Sequence, residues 1–203
     1  MLKNEEETIV SSLISVQNYI QSLIIYDTGS TDNTIKIITE FCEEHNLTLH
    51  LKQEEFINFG ESRNRALQFA ESIGSIDYLL LIDANDVLDD GEPLLRLCID
   101  KKDSNETGFY LVQEWYNHRN IDTYHNIRLI KPNQGWKYIG VVHEYIHNET
   151  ETPEKNNYHI VLKQDRSVDN QKSSKRFQTD KQLLLQSLEI EPNNSRNIFY
   201  LAQ

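Results

Sequence analysis

The chain has 203 residues, of which 38% are hydrophobic and 26% are charged, which is ordinary for a globular protein with one substantial core. The formal net charge of −12 argues against a nucleic-acid-binding surface, because phosphate contacts need clustered Lys and Arg. No apolar run approaches the roughly 20 residues that span a bilayer, and the acidic start MLKNEEE does not have the pattern of a signal peptide. We therefore expect a cytoplasmic protein without a transmembrane segment.

The first half of the sequence alternates between helix and strand patterns. Asn4, with Glu7 three residues later, predicts the N-cap of a first helix. Strands are predicted at 22–26, 47–51 and 78–82, with helices between them. This alternation is typical of a parallel sheet covered by helices on both faces. Only Met1 and Leu2 precede the first helix, so we expect a truncated first strand.

The second half has a different character. The segments TGFYLVQEWY, NIRLIKP, GWKYIGVVHEYI and YHIVL are β-runs without clear helices between them. They predict a mixed or antiparallel extension of the sheet. From Asp180 onward the apolar spacing is helical, and Pro192 marks the end of one helix and the start of another.

Polar clusters follow the predicted strands at three places: 3–6 (KNEE), 27–34 (DTGSTDNT) and 83–86 (DAND). Open parallel sheets bind ligands at the carboxyl ends of their strands. Taken singly, each cluster is more typical of an ordinary turn or helix cap, because Asp, Asn, Gly, Ser and Thr are common there. Together the three clusters favour a nucleotide-type ligand. The cluster at 27–34 is not a P-loop, because it has no Gly-Lys-Ser/Thr ending.

Four segments in order, LKNEE, IIYDTGSTDNT, NFGESRNRAL and LLLIDANDVL, resemble the family 2 glycosyltransferases of the GT-A fold. The resemblance implies an α/β fold, in which a Rossmann-like, mostly parallel sheet has helices on both faces, an antiparallel extension and C-terminal helices. A GT-A domain is then expected at 1–168, divided into a nucleotide-sugar half at 1–90 and an acceptor half at 91–168. The tail LLLQSLEIEPNNSRNIFYLAQ resembles a tetratricopeptide-type helical repeat, within an extension at 169–203 that we expect to be truncated.

The same resemblance implies the reaction. A sugar is transferred from a nucleoside diphosphate donor, in the first place a UDP-sugar, to a hydroxyl of a glycan, protein or lipid-linked acceptor, usually with inversion. The residues that it assigns to donor binding are Glu5, Asp27, Arg63 and Asp83.

A divalent metal, Mn²⁺ or Mg²⁺, would stabilise the charge of the leaving diphosphate. The implied ligands are Asp83, Asn85, Asp86 and His143. Asn85 departs from the family pattern, because a neutral amide oxygen holds a divalent ion less tightly than a carboxylate. The metal dependence of the reaction is therefore left open by the sequence.

The acceptor hydroxyl has to lose a proton, and GVVHEYI offers both His143 and Glu144 for this purpose. Adjacent residues of a strand point to opposite faces, so we expect only one of them to meet the sugar. Glu144 is the expected base, since its place matches the acceptor-side acid of the family, and Glu114 is a weaker candidate. His143 is equally compatible with a structural role.

Two further groups of residues have an ordinary interpretation beside a functional one. Aromatic side chains in the second half are typical of sheet and core positions but are also suited to stacking on a sugar: Trp115, Tyr116, Trp136 and Tyr138. Arg128 and Lys137 are expected at the solvated surface, with an approach to the diphosphate as the alternative.

Two alternatives to glycosyl transfer remain at this point. A nucleotidyltransferase also has acids at strand ends, although KNEEET does not contain the glycines of its phosphate loop. A catalytically degenerate nucleotide-sugar-binding module is the other, and Asn85 is the residue that favours it.

Overall fold

The computed structural model describes residues 1–117, 120–150, 152–155, 157–167 and 172–203, except for the side chains of 172–175. The helices are α1 (Ile9–Val16), α2 (Thr34–Glu44), α3 (Phe59–Ser72), α4 (Glu92–Asp100), α5 (Lys172–Ile190) and α6 (Ser195–Ala202). The strands are β1 (Ser22–Asp27), β2 (Thr48–Gln53), β3 (Leu79–Leu80), β4 (Asp86–Leu88), β5 (Gly108–Tyr116), β6 (Ile121–Ile130), β7 (Lys137–Ile139), β8 (Tyr145–His147), β9 (Glu154–Lys155) and β10 (Val161–Asp165).

The first two strands form a parallel pair, with partners from Ser22↔Thr48 to Asp27↔Gln53. Leu23 and Ile25 of β1 pack with buried residues of α1 and α2, among them Leu13, Ile38 and Phe41. Burying such side chains contributes roughly 1.5–3 kcal/mol each. The apolar spacing of α2 and the short apolar run of β1 therefore find the partners that the sequence predicts.

The predicted N-cap at Asn4 is wrong. Helix α1 begins at Ile9 with Thr8 at its N-cap, and Asn4 has a left-handed φ of 55°. The reason is a tertiary contact, because the Asn4 side chain accepts a hydrogen bond of 2.7 Å from the Thr31 amide. Asn4 therefore ties the first loop to the loop after β1 instead of capping α1.

The second sheet has the order β3-β6-β5-β10-β4, and β9 pairs with β5 outside this path. Strands β5 and β6 are antiparallel, whereas β10 runs parallel to β5 and antiparallel to β4. Strands β7 and β8 form a separate antiparallel pair. The mixed extension that the sequence predicts is confirmed.

The strands of the first half do not form one continuous sheet, which differs from the expected arrangement. β3 belongs to the second sheet and spans only Leu79–Leu80 of the predicted 78–82, although the Leu81 amide still donates to the Arg128 carbonyl at 2.7 Å. β3 is short because, among the described residues, it pairs along one edge only, with β6. Between β1 and β3 lies a cavity of about 550 Å³.

A second apolar cluster fixes α3 against the sheet. Leu67 and Ala70 of α3 are buried with Leu79, Ile130 and Trp136. Trp136 therefore occupies a core position. This packing sets α3 beside the carboxyl end of β3, where the polar cluster of 83–86 begins.

The C-terminal helices pack on each other. The Asn194 side chain accepts a hydrogen bond from the backbone amide of Asn197 at 3.1 Å and so caps α6. The side-chain amide of Asn197 donates to the Ser187 hydroxyl of α5 at 2.8 Å. Their tetratricopeptide-like character remains a prediction, and part of the predicted extension, 169–171, lies outside the described residues. Among the residues that the structure describes, no helix is both long and apolar enough to cross a membrane.

Candidate active site

Asp83 lies just beyond β3 and is held by two arginines. Arg63 Nη2 of α3 is 2.7 Å from Asp83 Oδ1, and Arg128 Nη2 of β6 is 3.0 Å from Oδ2. Burial opposes ionisation of Asp83, but the two guanidinium groups outweigh this effect and hold its pKa well below the usual range. Asp83 is therefore a carboxylate in the folded protein.

The same Arg63 guanidinium reaches a second carboxylate. Its Nε lies 2.6 Å from Glu144 Oε1, and the two side chains are only 19% and 10% exposed. The guanidinium carbon is 5.5 Å from the centre of the Tyr138 ring. Arg63, Asp83 and Glu144, predicted from three separate motifs, thus meet at one group.

Local contacts of α3 fix the position of Arg63. The Asn64 side chain donates to the Tyr138 carbonyl at 2.9 Å and accepts from the Tyr138 amide at 2.7 Å, which ties α3 to β7. One turn earlier, a Cβ at Gly60 would lie 2.3 Å from the Gly140 carbonyl oxygen. Only a glycine therefore lets α3 approach the segment that leads to Glu144 this closely.

Asp86 forms a buried layer beneath Asp83. Its Oδ2 accepts the Asp83 amide at 2.9 Å, and its Oδ1 accepts Gln113 Nε2 at 2.9 Å. Burial and, after it, the neighbouring Asp83 charge raise the pKa of Asp86, while Arg128 opposes this rise. The role of Asp86 in the structure is to support the loop that carries Asp83.

Asn85 accepts a hydrogen bond from a side chain of β10, the strand that pairs with β4. Gln164 Nε2 donates to Asn85 Oδ1 at 2.7 Å, and Gln164 Oε1 accepts Arg166 Nε at 2.7 Å. The Arg166 guanidinium lies 3.3 Å from the centre of the Trp115 ring. The row Asn85–Gln164–Arg166–Trp115 therefore borders the acidic cluster.

The predicted metal ligands are not brought together as a metal-binding group. Among the described residues, no cluster of three or more His, Cys, Asp and Glu is arranged to hold an ion. Asp83 is neutralised by two arginines and Asn85 is bonded to Gln164, while the His143 ring is stacked on Tyr200 at 4.3 Å. A divalent ion could bind Asp83 only by displacing an arginine, so the observed arrangement does not fit a metal site. The proposed set of metal ligands remains a prediction.

Asp27 is completely buried at the end of β1. Its carboxylate accepts hydrogen bonds from the Gly29 and Ser30 amides, the Ser30 hydroxyl and the Gln53 side chain. Burial opposes ionisation, but the bonds from Ser30, Gln53 and Gly29 outweigh it and lower the pKa of Asp27. Asp27 shapes the loop 27–34, and its contact with the donor remains a prediction.

Glu5 belongs to the same loop system. Its amide donates to Thr34 Oγ1 at 2.7 Å, and its carboxylate accepts the Thr8 hydroxyl at 2.8 Å. Hydrogen bonds therefore connect the segments 3–6 (KNEE) and 27–34 (DTGSTDNT) beside the end of β1, as the sequence predicts for polar clusters at strand ends. The role of Glu5 in donor binding remains a prediction.

Helix α6 covers the segment that carries His143 and Glu144. Arg196 Nη2 donates to the His143 carbonyl at 2.5 Å and its guanidinium lies 4.8 Å from the Tyr145 ring centre. His143 itself is exposed, with a left-handed φ of 49°. The C-terminal extension thus contacts the segment that presents the expected base.

Two residues of the site were not expected from the sequence. Arg128, expected at the surface, is only 11% exposed, whereas Lys137 is at the surface beside Glu149. Gln113 was not singled out, although it shares the buried face of β5 with Phe109 and Leu111. A glutamine in phase with such residues is the signal that points to a buried polar partner.

The weaker base candidate, Glu114, lies away from this group. It accepts a short hydrogen bond from the Tyr116 hydroxyl on the same strand. Its neighbours on β5, Gln113 and Trp115, point to the opposite face, as the alternation of a strand requires. The geometry places Glu144, and not Glu114, beside Arg63.

Comparison with known proteins now decides the family. The model of the family described as glycosyl transferase family 2 matches residues 2–159, which include every element from α1 to β9. The chain belongs to glycosyl transferase family 2. The group in which Arg63 joins Asp83 to Glu144 lies within the part of the chain that matches the family.

Curated relatives match parts of the chain. It is 32% identical over 99 residues to a poly-beta-1,6-N-acetyl-D-glucosamine synthase of Staphylococcus epidermidis, covering 46% of this chain and 22% of that protein. It is 30% identical over 84 residues to the uncharacterized protein MJ0544 of Methanocaldococcus jannaschii, covering 40% of this chain and 36% of that one. The chain therefore spans about a fifth to a third of these relatives' lengths.

A solved structure shows the same fold. S. aureus TarS 1-349 in complex with UDP-GlcNAc superposes with a TM-score of 0.52 at 14% identity, over 92% of this chain and 65% of that one. At this identity the likeness supports the fold alone. The protein has a GT-A-like α/β fold with a curled mixed sheet and helices, as its sequence predicts.

Proposed function

We propose that this family 2 protein is a glycosyltransferase that transfers a sugar from a nucleoside diphosphate donor to an acceptor hydroxyl. The observation that carries the proposal is the Arg63 guanidinium, which lies between Asp83 at 2.7 Å and Glu144 at 2.6 Å. One cation thereby couples a strand-end carboxylate on the expected donor side to a carboxylate on the expected acceptor side.

The reaction needs two kinds of assistance: stabilisation of the negative charge on the leaving diphosphate, and removal of the proton from the acceptor hydroxyl. The acceptor oxygen bonds to the anomeric carbon while the bond from that carbon to the diphosphate breaks, and the diphosphate leaves as an anion. In this proposal Arg63 and Arg128, which their bonds to Asp83 hold in position, stabilise this developing negative charge. The Glu144 carboxylate accepts the acceptor's proton as the new bond forms.

The donor class rests on the relatives' names. The Staphylococcus epidermidis relative is named as a synthase of an N-acetylglucosamine polymer, and the TarS structure contains UDP-GlcNAc. A UDP-sugar is therefore the first donor to test. The acceptor, whether a glycan, a protein or a lipid-linked molecule, is not indicated by the contacts of the site.

Whether the reaction depends on a divalent metal can be tested directly. When bound, Mn²⁺ or Mg²⁺ supplies positive charge to the diphosphate, but Asp83 already has two guanidinium partners. A thermal-shift panel of UDP-, GDP-, CMP- and dTDP-sugars, each with and without Mn²⁺, reports donor class and metal dependence together.

The deciding prediction concerns Glu144. We expect Glu144→Gln to be less stable than the parent, because Arg63 loses one of its two carboxylate partners, but still to bind the donor, since the glutamine oxygen can accept the Arg63 Nε bond. Its transfer rate is expected to fall about 10²–10⁴-fold, because it has no proton acceptor. Donor binding is measured by thermal shift and transfer by release of the nucleoside diphosphate. Glu149→Gln is the matched control, since Glu149 is exposed and its ion pair with Lys137 lies at the surface.

Three other results would contradict the proposal in different ways. Undiminished transfer by the Glu144 variant would exclude this residue as the base. A protein that binds a nucleotide sugar but never transfers it would support the degenerate binding module. Release of pyrophosphate from a nucleoside triphosphate and a sugar phosphate would favour the nucleotidyltransferase.

A further inference from the structure

Strand β10 leads from the core to the border of the acidic cluster. Leu162, Gln164 and Arg166 alternate along the chain, so their side chains point to the same face of the sheet. Leu162 and Gln164 are buried, whereas Arg166 is exposed. The Arg166 amide donates to the Tyr116 carbonyl at 2.7 Å, which extends the parallel pairing of β10 with β5 to this residue. The backbone therefore holds Arg166 at a fixed place beside the site.

The Arg166 side chain is held as well as its backbone. Its guanidinium carbon lies 3.3 Å from the centre of the Trp115 ring, and Trp115 packs edge-on against Tyr124 at 4.8 Å. Its Nε donates to Gln164 Oε1 at 2.7 Å. Stacking and this one bond fix the plane of the guanidinium, while its two Nη groups point away from the bond to Gln164.

Arg166 differs in its partners from the other arginines of the site. Arg63 and Arg128 are both bonded to the Asp83 carboxylate. No carboxylate among the described residues forms an ion pair with Arg166, although the chain has a net charge of −12. An ordered arginine without an acidic partner, beside an acidic cluster, favours an anionic ligand from outside the chain.

Arg166 also decides how the Gln164 amide is oriented. An arginine side chain can only donate hydrogen bonds, so the Gln164 oxygen has to face it. The Gln164 nitrogen consequently faces the acidic loop, where it lies 2.7 Å from Asn85 Oδ1 and 3.4 Å from Asp86 Oδ1. Hydrogen-bond donors thus point at the oxygen atoms that a divalent ion would need.

The remaining oxygen atoms of the loop are used in the same way. Asp86 Oδ2 accepts the Asp83 amide, and Asp86 Oδ1 accepts the Gln113 side chain. The Asp83 carboxylate is held by the two other arginines. Divalent ions bind such oxygen atoms through their lone pairs, so each of these donors competes with an ion. The protein's own N–H groups therefore occupy the atoms of the predicted metal site.

We propose that the Arg166 guanidinium binds the diphosphate of the sugar nucleotide and that donor binding needs no divalent ion. The proposal rests on the proposed function, because it concerns the donor of that reaction. A guanidinium binds phosphate oxygens through paired N–H···O bonds, and unlike a metal ion it needs no carboxylate ligands to hold it. Asp83 and Asp86 can then serve entirely as partners of protein groups, as the structure shows.

The neutral side chain at position 85 suits this arrangement. A carboxylate there would attract the Arg166 guanidinium, which is only one side chain away, and would compete with the diphosphate for it. Asn85 accepts the bond from Gln164 without a charge and leaves the positive charge of Arg166 to the donor. The residue that departs from the family pattern is thereby explained.

The test is isothermal titration calorimetry of the full chain with UDP and with GDP, each compared with its monophosphate, in EDTA and in MnCl₂. We expect the parent to bind one diphosphate with affinities that agree within about twofold between the two conditions. Arg166→Gln is expected to weaken this binding about 10- to 100-fold through loss of charge-assisted bonds. Binding of the monophosphate should weaken less, so the preference for the diphosphate should fall.

Two further variants keep the test sharp. Arg96→Gln is the matched control, because Arg96 is an exposed arginine of α4, and its affinities should equal those of the parent. Arg166→Lys retains the charge without the planar fork and is expected to have an intermediate affinity. Thermal unfolding of each variant verifies that it is folded.

Asn85→Asp separates the proposal from a weak metal site. If Arg166 binds the diphosphate, the new carboxylate should weaken UDP or GDP binding in EDTA, and Mn²⁺ should not restore it. If Asn85 is instead a poor metal ligand, the same substitution should make binding tighter in Mn²⁺ than in EDTA.

Three results would overturn the proposal: parent affinity that rises tenfold or more with Mn²⁺, Arg166→Gln that binds the diphosphate as the parent does, and Asn85→Asp that gains affinity with Mn²⁺. Each of them leaves the proposed glycosyl transfer intact, because the parent still binds a nucleoside diphosphate. A parent that binds neither diphosphate in either condition would contradict the proposed function itself, and this proposal with it.

Discussion

At the scale of single residues, Arg63 is the group on which the site depends. It is one cation shared by Asp83 and Glu144, and all three side chains are largely withdrawn from water. An ion pair of this kind is costly to desolvate, so it adds little net stability, but removing one partner leaves charges without compensation and costs about 3–5 kcal/mol. Geometry, more than stability, is what the pairing provides.

Replacing Arg63 by Lys tests this interpretation. A lysine ammonium is a point charge and cannot present two separate edges to Asp83 and Glu144 as the guanidinium fork does. We expect Arg63→Lys to lower the free energy of unfolding in urea by about 2–3 kcal/mol and the transfer rate about 100-fold. Arg65→Lys, two positions away and 43% exposed, is expected to change stability by less than about 0.5 kcal/mol. Equal effects of the two substitutions would refute a special role for Arg63.

At the scale of elements, the sequence predicts what depends on local pattern. The apolar spacing of α2 and the alternation of helices and strands in the first half agree with the structure. The N-cap at Asn4 fails because its side chain finds a partner, Thr31, in a distant loop. Likewise, the pairing of Gln113 with Asp86 depends on strand register across the second sheet, which no local pattern contains.

The site shows the same division. The motifs of the family resemblance indicate Asp27, Arg63 and Asp83, but only packing decides that Arg128 leaves the surface and joins Asp83. The metal set shows the opposite problem, because residue types alone do not reveal that Asp83 is already neutralised by two arginines. The sequence shows which residue types are present, but it does not show which partners each side chain already has in the folded protein.

The contact of α3 with the segment before Glu144 gives a prediction for a helix. Alanine is normally favoured over glycine inside a helix by about 1 kcal/mol. At Gly60, however, the added Cβ would lie 2.3 Å from the Gly140 carbonyl oxygen, and Gly140 itself has a φ of +105°. We therefore expect Gly60→Ala to lower the melting temperature and to reduce transfer as Arg63 moves away from Glu144.

Glu61→Ala is the matched control for this change, because Glu61 is the next residue of α3 and is exposed. Its thermal unfolding is expected to stay close to that of the parent. A Gly60 variant that is more stable than the parent would show that α3 does not need this close approach.

At the scale of the whole molecule, stability should respond to pH through Asp83. Burial opposes its ionisation, but Arg63 and Arg128 hold the pKa of this carboxyl well below its usual range in the folded protein. When the pH falls to about 4 and below, the unfolded chain therefore takes up a proton that the folded chain does not. The contribution of Asp83 to the free energy of unfolding is expected to be fully present above this range and to be lost as the pH is lowered through it.

Urea unfolding at a series of pH values measures the slope, and Asp83→Asn removes the titrating group. We expect the Asp83→Asn protein, although less stable than the parent at neutral pH, to lose less stability on acidification. A profile as steep as that of the parent would contradict this role of Asp83.

The two bonds of the Arg63 guanidinium also imply an order of assembly. The bond to Asp83 closes 20 residues of chain, while the bond to Glu144 closes 81. Loop-closure entropy makes the longer loop about 1 kcal/mol more costly to form. During synthesis, moreover, Asp83 leaves the ribosome well before Glu144. The bond from Arg63 to Asp83 can therefore form before the bond to Glu144, which completes the centre.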